Sequence, residues 1–345
     1  MPRIPGLALS LAMSATTLVT VLSASAEEAK PLEPGPWTFG AVATIQFSQS
    51  QFSSNYAGGD KSSVVWVLGA ATTAEHQISR GFHFANSLLL AYGQTSKQVA
   101  DPADPEQRSW DSPDKTTDQI LFESTGRLTM ERFVDPYFGL RVESQFQDRG
   151  DPFGAHVLNP IRIKESAGIA RVIEKREDRE LITRFGLGFR QTFARSFIDA
   201  SKSATRSFSS MDGGFEWQTQ MTRPLLDKKV LYKGQLLVFQ PVFFSKSAAL
   251  AAFDEAALAA LPGRESVADF WRAPDIDLQN TFSAEITKSR GVNLFVQWRH
   301  DKFDAATAFD ASQPIATQAA VIDRGIRKAG QFKEVFALSL SCRLL

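Results

Sequence analysis

Cysteine is nearly absent: the 345-residue chain carries one, Cys342, and can form no disulfide within itself. Exported domains with thin cores commonly rely on disulfides; here the core, or a surrounding membrane, must hold the fold. Long apolar runs are lacking as well. Beyond residue 22 no window approaches the ~20 consecutive apolar residues a helix needs to cross a bilayer. Charge of one sign is also missing, because 38 Lys and Arg balance 38 Asp and Glu. That balance leaves no basic footprint for nucleic acid. Histidine is scarce, and His76, His83, His156 and His300 show none of the spacing, with further ligands, that a zinc site uses. The acidic run Asp101, Asp104, Glu106, Asp111 and Asp114 lacks the spacing of a calcium loop and reads as a solvated surface segment. The sequence therefore calls for no metal and no cofactor.

What the chain does have begins at its start. Arg3 precedes an apolar stretch from Ile4 to Leu22, and "SASA" places small residues at Ala24 and Ala26. This is the pattern of a cleaved secretory signal over residues 1–26. A short periplasmic segment, 27–35, would follow, then a barrel over 36–345. No cysteine follows the apolar run to carry a lipid anchor.

A period of two then dominates. In "LITRFGLGFRQTF", Phe185, Leu187, Phe189 and Phe193 share one face, and Arg184, Gly186, Gly188 and Arg190 the other. "WTFGAVATIQF" repeats it with Trp37, Phe39, Ile45 and Phe47, and "FKEVFALSLSCRLL" with Phe336, Leu338 and Leu340. About twelve such segments occur, mostly about ten to fourteen residues long, enough for a tilted strand to cross a bilayer and longer than the usual globular strand. "VVWVLGAATTA" alternates little, and "IRIKESAGIARVI" is ambiguous in phase.

Connections alternate between short and long. "HQISRG", "ERFVDP", "EKREDRE", "TRPLLDKK" and "KSRG" are short. Residues 48–62, 94–115, 148–160, 194–210, 243–274 and 302–329 are long. Two of the long ones, "KSAALAAFDEAALAALPGRESVADF" and "ASQPIATQAAVIDRGIRKAG", carry helical spacing. The pattern predicts an all-β, up-and-down antiparallel transmembrane barrel of about twelve strands, with short periplasmic turns and long outer loops. A soluble β-sandwich is the alternative that the alternation disfavours.

With the apolar face toward lipid, the opposite face lines the lumen. Its charged residues are Glu123, Arg127, Arg141, Glu143, Arg184, Arg190, Glu216, Lys233, Asp277, Glu285 and Arg299. Both signs are mixed, so neither strong anion nor strong cation selectivity is expected. The pattern fits a salt-bridged lining or a small polar pore for small polar solutes. An enzymatic barrel would need a histidine beside a serine. Ser87 follows His83 by four residues, about 13 Å along a strand, and Ser79 follows His76 on the opposite face. No catalytic residue is assigned. The glycine pair of "YAGGDKSS" lacks the first glycine of a phosphate loop and precedes a strand-like run, so it reads as a turn or bulge.

That same run carries a resemblance. Asn55-Tyr56-Ala57-Gly58-Gly59, the later pair Tyr92-Gly93 and "NPIRIKESAGIARV" resemble a family of uncharacterised outer-membrane barrels with a domain of unknown function, marked by an Asn-aromatic-x-Gly-Gly motif. The resemblance implies a fold and a location in the bacterial outer membrane, and no activity. Outer-membrane lipids and the barrel-assembly machinery are the partners it implies. The closing strand ends "CRLL", without the terminal aromatic residue such machinery reads. The leading functional expectation is a passive or loop-gated channel. A lipid- or glycan-modifying enzyme and a structural or surface-binding barrel are the alternatives.

Overall fold

A computed structural model of the chain describes residues 33–50, 62–100, 108–130, 133–176, 178–254, 258, 267–287, 289–301, 303–326 and 330–343. The expected signal, 1–26, and the Asn55–Gly59 motif lie outside these residues.

Twelve long strands form the wall: β1 (Thr38–Ser50), β2 (Ser63–Ser79), β3 (Phe82–Ala100), β5 (Asp114–Leu128), β6 (Asp135–Ser144), β7 (Ile161–Arg176), β8 (Arg179–Phe197), β9 (Thr205–Leu225), β10 (Val230–Phe244), β11 (Asp275–Thr287), β12 (Arg290–His300) and β13 (Gln331–Arg343). The three-residue β4 (Arg108–Trp110) only extends the tip of β3. Each wall strand pairs antiparallel with its sequence neighbours, and β1 pairs with β13, which closes the sheet into an up-and-down barrel. Closure matters because it removes the free edges that an open sheet of this width would present.

The period of two sorts the side chains. Phe39 (61 % exposed), Ile45, Phe185, Leu187 (61 %), Phe215, Trp217, Phe336 and Leu338 all stand on the outer face. Between them Val42, Thr44, Gln46, Ile182, Asp212, Glu216 and Val335 turn inward and are buried. "VVWVLGAATTA" is β2, with Leu68 outward and Val65, Val67 and Ala71 buried inside. The ambiguous segment is β7, and its register explains the ambiguity: Lys164 pairs with the inward Arg141 and Arg190, while its neighbour Glu165 pairs with the outward Leu140 and Phe189. Charges occupy both faces there.

Short turns occupy one end and longer connections the other, as the sequence pattern predicts. Two expected long loops are shorter than the sequence suggests. Residues 194–210 are mostly strand, because β8 runs to Phe197 and β9 begins at Thr205, and the two stay in register to the Phe197–Thr205 pair. Likewise β3 continues to Ala100 within the expected loop 94–115.

The two helical-looking connections fold together at the loop end. Helices Ser247–Ala251 and Ile315–Gly325 and the 3-10 turn Val267–Arg272 enclose a core of Phe244, Leu250, Phe253, Trp271, Phe309 and Ile322. Each such side chain contributes about 1.5–3 kcal/mol when withdrawn from water, enough to hold these loops as one folded cap.

The closing ladder is short. Among the described residues β1 and β13 pair over five positions, from Val42–Arg343 to Gln46–Ser339, whereas β1 and β2 pair over thirteen. Toward the loop end, Phe47–Ser50 of β1 and Val335–Leu338 of β13 keep their other neighbours but do not pair with each other.

Candidate functional site

The barrel interior carries a row of charged side chains. Glu123, Arg141, Lys164, Arg190 and Asp212 are consecutive cross-strand partners on β5, β6, β7, β8 and β9. Three cations are thus adjacent, an arrangement that like-charge repulsion opposes. Each is satisfied by a carboxylate. Arg141 Nη1 donates to Glu123 Oε1 at 2.8 Å, and its Nε donates to Glu143. Lys164 Nζ donates to Glu216 Oε2 at 2.5 Å. Arg190 forks onto both oxygens of Asp212 at 2.7 and 2.6 Å and reaches Asp275 Oδ2 at 2.6 Å. The Arg190 guanidinium also lies 3.8 Å from the Phe239 ring centroid. Gly188 leaves room for that ring, since a Cβ there would come within 3.1 Å of it.

The other sequence-predicted residues are spread around this row. Arg127 stands between His83 and Tyr137 in register. Arg184 donates to Gln218 Oε1 at 3.3 Å and lies 5.9 Å from the Tyr137 ring centroid. Asp277 accepts from Gln297 at 2.8 Å and Gln279 at 3.0 Å. Lys233 lies opposite Thr222 and Thr281. Arg299 pairs with Asp301 at 2.9 Å near the loop end, and Glu285 sits opposite Gly291 near the turns. Lys164, Asp212 and Asp275 were not singled out from sequence. Counting in twos from Glu216 reaches Asp212, so the signal was present for that one.

The opposite wall differs. Val42, Val65, Val67, Ala71, Ala91, Phe295 and Val335, with Thr44, Gln46 and Asn293, are buried and uncharged. The charge row therefore faces a neutral patch on β1, β2, β12 and β13, while Lys333 and Arg299 lie nearer the loop end of that wall and Glu75 and His83 nearer the turns.

A cap segment lies over the mouth. Arg162 Nη2, at the loop end of β7, donates to Asp304 Oδ1 at 3.2 Å, and Ser210 Oγ of β9 donates to the Ala305 carbonyl at 2.6 Å. The connection that carries Asp304 joins β12 to β13, and β7 stands five strands away around the wall. The chain is thus tied to a distant part of the rim. Between the charge row and Arg184 lies a cavity of about 40 Å³, room for about three waters.

The histidines lie elsewhere. His156 Nε2 is 2.7 Å from Asp151 Oδ2 in the loop after β6, and its ring stacks on Phe197 at 4.2 Å. His83 Nε2 is 3.7 Å from Glu75, and the His76 ring lies tilted against Trp37, with centroids 4.8 Å apart. Among the described residues none of these three hydrogen-bonds to a serine hydroxyl.

Residues 47–149 match a family described as Protein of unknown function (DUF3078). The match runs from the loop end of β1 through β6, so Glu123, Arg141 and Glu143 fall within it while Lys164, Arg190, Asp212 and Glu216 fall beyond it. No curated protein matches the chain. Among solved structures, the chain is similar to the β domain of the Bordetella autotransporter BrkA, with 13 % identity, TM-score 0.32 and coverage of 88 % of this chain and 98 % of that one. It is also similar to an outer membrane channel from Pseudomonas putida F1, with 12 % identity, TM-score 0.38 and coverage of 93 % and 98 %. A third is the translocator domain of the autotransporter NalP from Neisseria meningitidis, with 7 % identity, TM-score 0.32 and coverage of 88 % and 87 %.

Proposed function

We propose that the protein is a bacterial outer-membrane barrel that passes small polar solutes through a lumen gated at its loop end. It would reach that membrane through the signal over residues 1–26 and the barrel-assembly machinery, and sit among outer-membrane lipids. The outward band of Phe, Leu, Ile and Trp supports the membrane placement. So do the outer-face aromatic clusters near the two ends, Trp37 with Phe84 at the turns and Trp66 with Tyr92 at the loops.

The observation that carries the gating reading is the tie of Asp304 and Ala305 to Arg162 and Ser210. An exposed ion pair is worth about 1 kcal/mol or less, so this tie to the far rim can break while the apolar core keeps the loops folded. Planar-bilayer conductance of the folded protein tests the reading. Discrete steps are expected, and their absence in both the wild type and Arg162→Ala would overturn it. A closed structural barrel is the second reading, favoured by the small cavity beside the satisfied charge row; it predicts a silent bilayer with an intact heat-dependent gel shift.

A further inference from the structure

We propose that the mid-lumen cavity is a binding subsite for the carboxylate group of a small organic acid, with Arg184 as its counter-charge. The proposal deepens the channel reading by naming a class of solute.

Charge bookkeeping around the cavity leads to it. Its walls hold three cations, Arg141, Lys164 and Arg184, and two carboxylates, Glu123 and Glu216. Arg141 takes Glu123 at 2.8 Å and Lys164 takes Glu216 at 2.5 Å. Glu143 is committed to Arg141 as well. Among the described residues no carboxylate oxygen lies within 4.0 Å of Arg184; its recorded contacts are the neutral Gln218 amide and the Tyr137 ring. The remaining charged groups that act on it are Arg127, which adds to the positive charge, and Glu123 and Glu180, which oppose it from farther away. A guanidinium inside a low-dielectric lumen without an anion is costly.

The donor set selects the anion. Guanidinium is a planar fork that matches a carboxylate bidentately, which a spherical halide cannot exploit. Tyr137 and Ser166 add hydroxyl groups to the same wall. Gly139 keeps the space open, because a Cβ there would sit 2.9 Å from Ser166 Oγ. The space of about 40 Å³ is room for about three waters, which a carboxylate group would displace.

Formate is the smallest probe of that chemistry. The detergent-folded barrel is titrated with formate against a bulky sulfonate at constant ionic strength, and the temperature of the heat-dependent gel shift is read. A saturable rise is expected in the wild type, weakened at least tenfold in apparent affinity in Arg184→Gln and partly retained in Arg184→Lys. The Gln variant should keep the wild-type mobility at room temperature, which separates lost binding from lost folding. No saturable rise in the wild type, or an undiminished one in Arg184→Gln, overturns the site. A chloride series as strong as formate's overturns the carboxylate assignment. Binding is read without conductance, so a silent bilayer would remove transport and leave the subsite, and the converse would remove the subsite alone.

Discussion

Arg162 and Asp304 touch at 3.2 Å across the barrel mouth, although 142 residues separate them in the chain. Both side chains are partly exposed. Such a pair contributes about 1 kcal/mol or less and is screened by salt. Arg162→Ala should therefore shift the closed-to-open ratio of the cap by up to about fivefold, the equivalent of that energy. Dwell times in a planar bilayer check this, and raising the salt should mimic the substitution in the wild type.

Arg190 binds two carboxylates, so removing it leaves both uncompensated. Arg190→Met should lower stability by about 3 kcal/mol, the lower end for a broken buried pair, because the guanidinium is 30 % exposed. Adding Asp212→Asn and Asp275→Asn to that variant should restore part of the loss. The temperature at which gel mobility changes is the readout, and equal loss in the triple variant would contradict the charge argument.

Asp151 sits in the loop after β6, outside the wall. Burial raises its carboxyl pKa, but the Phe153 amide, His156 and the Phe197 amide outweigh it and hold the pKa below the usual value. A depressed folded-state pKa contributes stability above the unfolded value, about 3.9, that is lost as pH falls through the lowered folded value. The Phe153 and Phe197 amides should thus remain protected from hydrogen exchange at neutral pH and lose protection only in strong acid. Asp151→Asn should weaken their protection at neutral pH and flatten the acid limb.

The short closing ladder makes a geometric prediction. In a Cys342→Ser background, Gln46→Cys with Ser339→Cys occupies directly paired positions and should crosslink readily under mild oxidation. Ser48→Cys with Ala337→Cys lies two residues farther along, past the last pair, and should crosslink much more slowly. Equal rates would mean that the strands stay zipped to the rim.

The wall was legible in the sequence because a barrel imposes its period on every strand with one wet and one apolar side. Reading failed where that contrast fails. Beyond Phe193, Arg195, Ser196 and Ser207 lie where both faces meet water, so the alternation fades although the ladder continues to Phe197–Thr205. At Lys164 and Glu165 charge stands on both faces and hides the phase of β7. Partner identity was the harder part of the interior. Glu123 and Arg141 are individually conspicuous, but that Asp275 reaches Arg190 depends on Phe239 lying between their strands.

The β1–β13 ladder also sets an order of events. Most hairpin ladders join segments close in sequence, while this one joins residue 46 to residue 339, with five pairs among the described residues. Loop-closure entropy grows with that separation, and few hydrogen bonds are available to offset it. The two ends of the chain should therefore meet last during assembly and part first during unfolding. The barrel would then spend its late folding life as a curled sheet with two open edges, the stage at which unpaired backbone groups are exposed to mispairing.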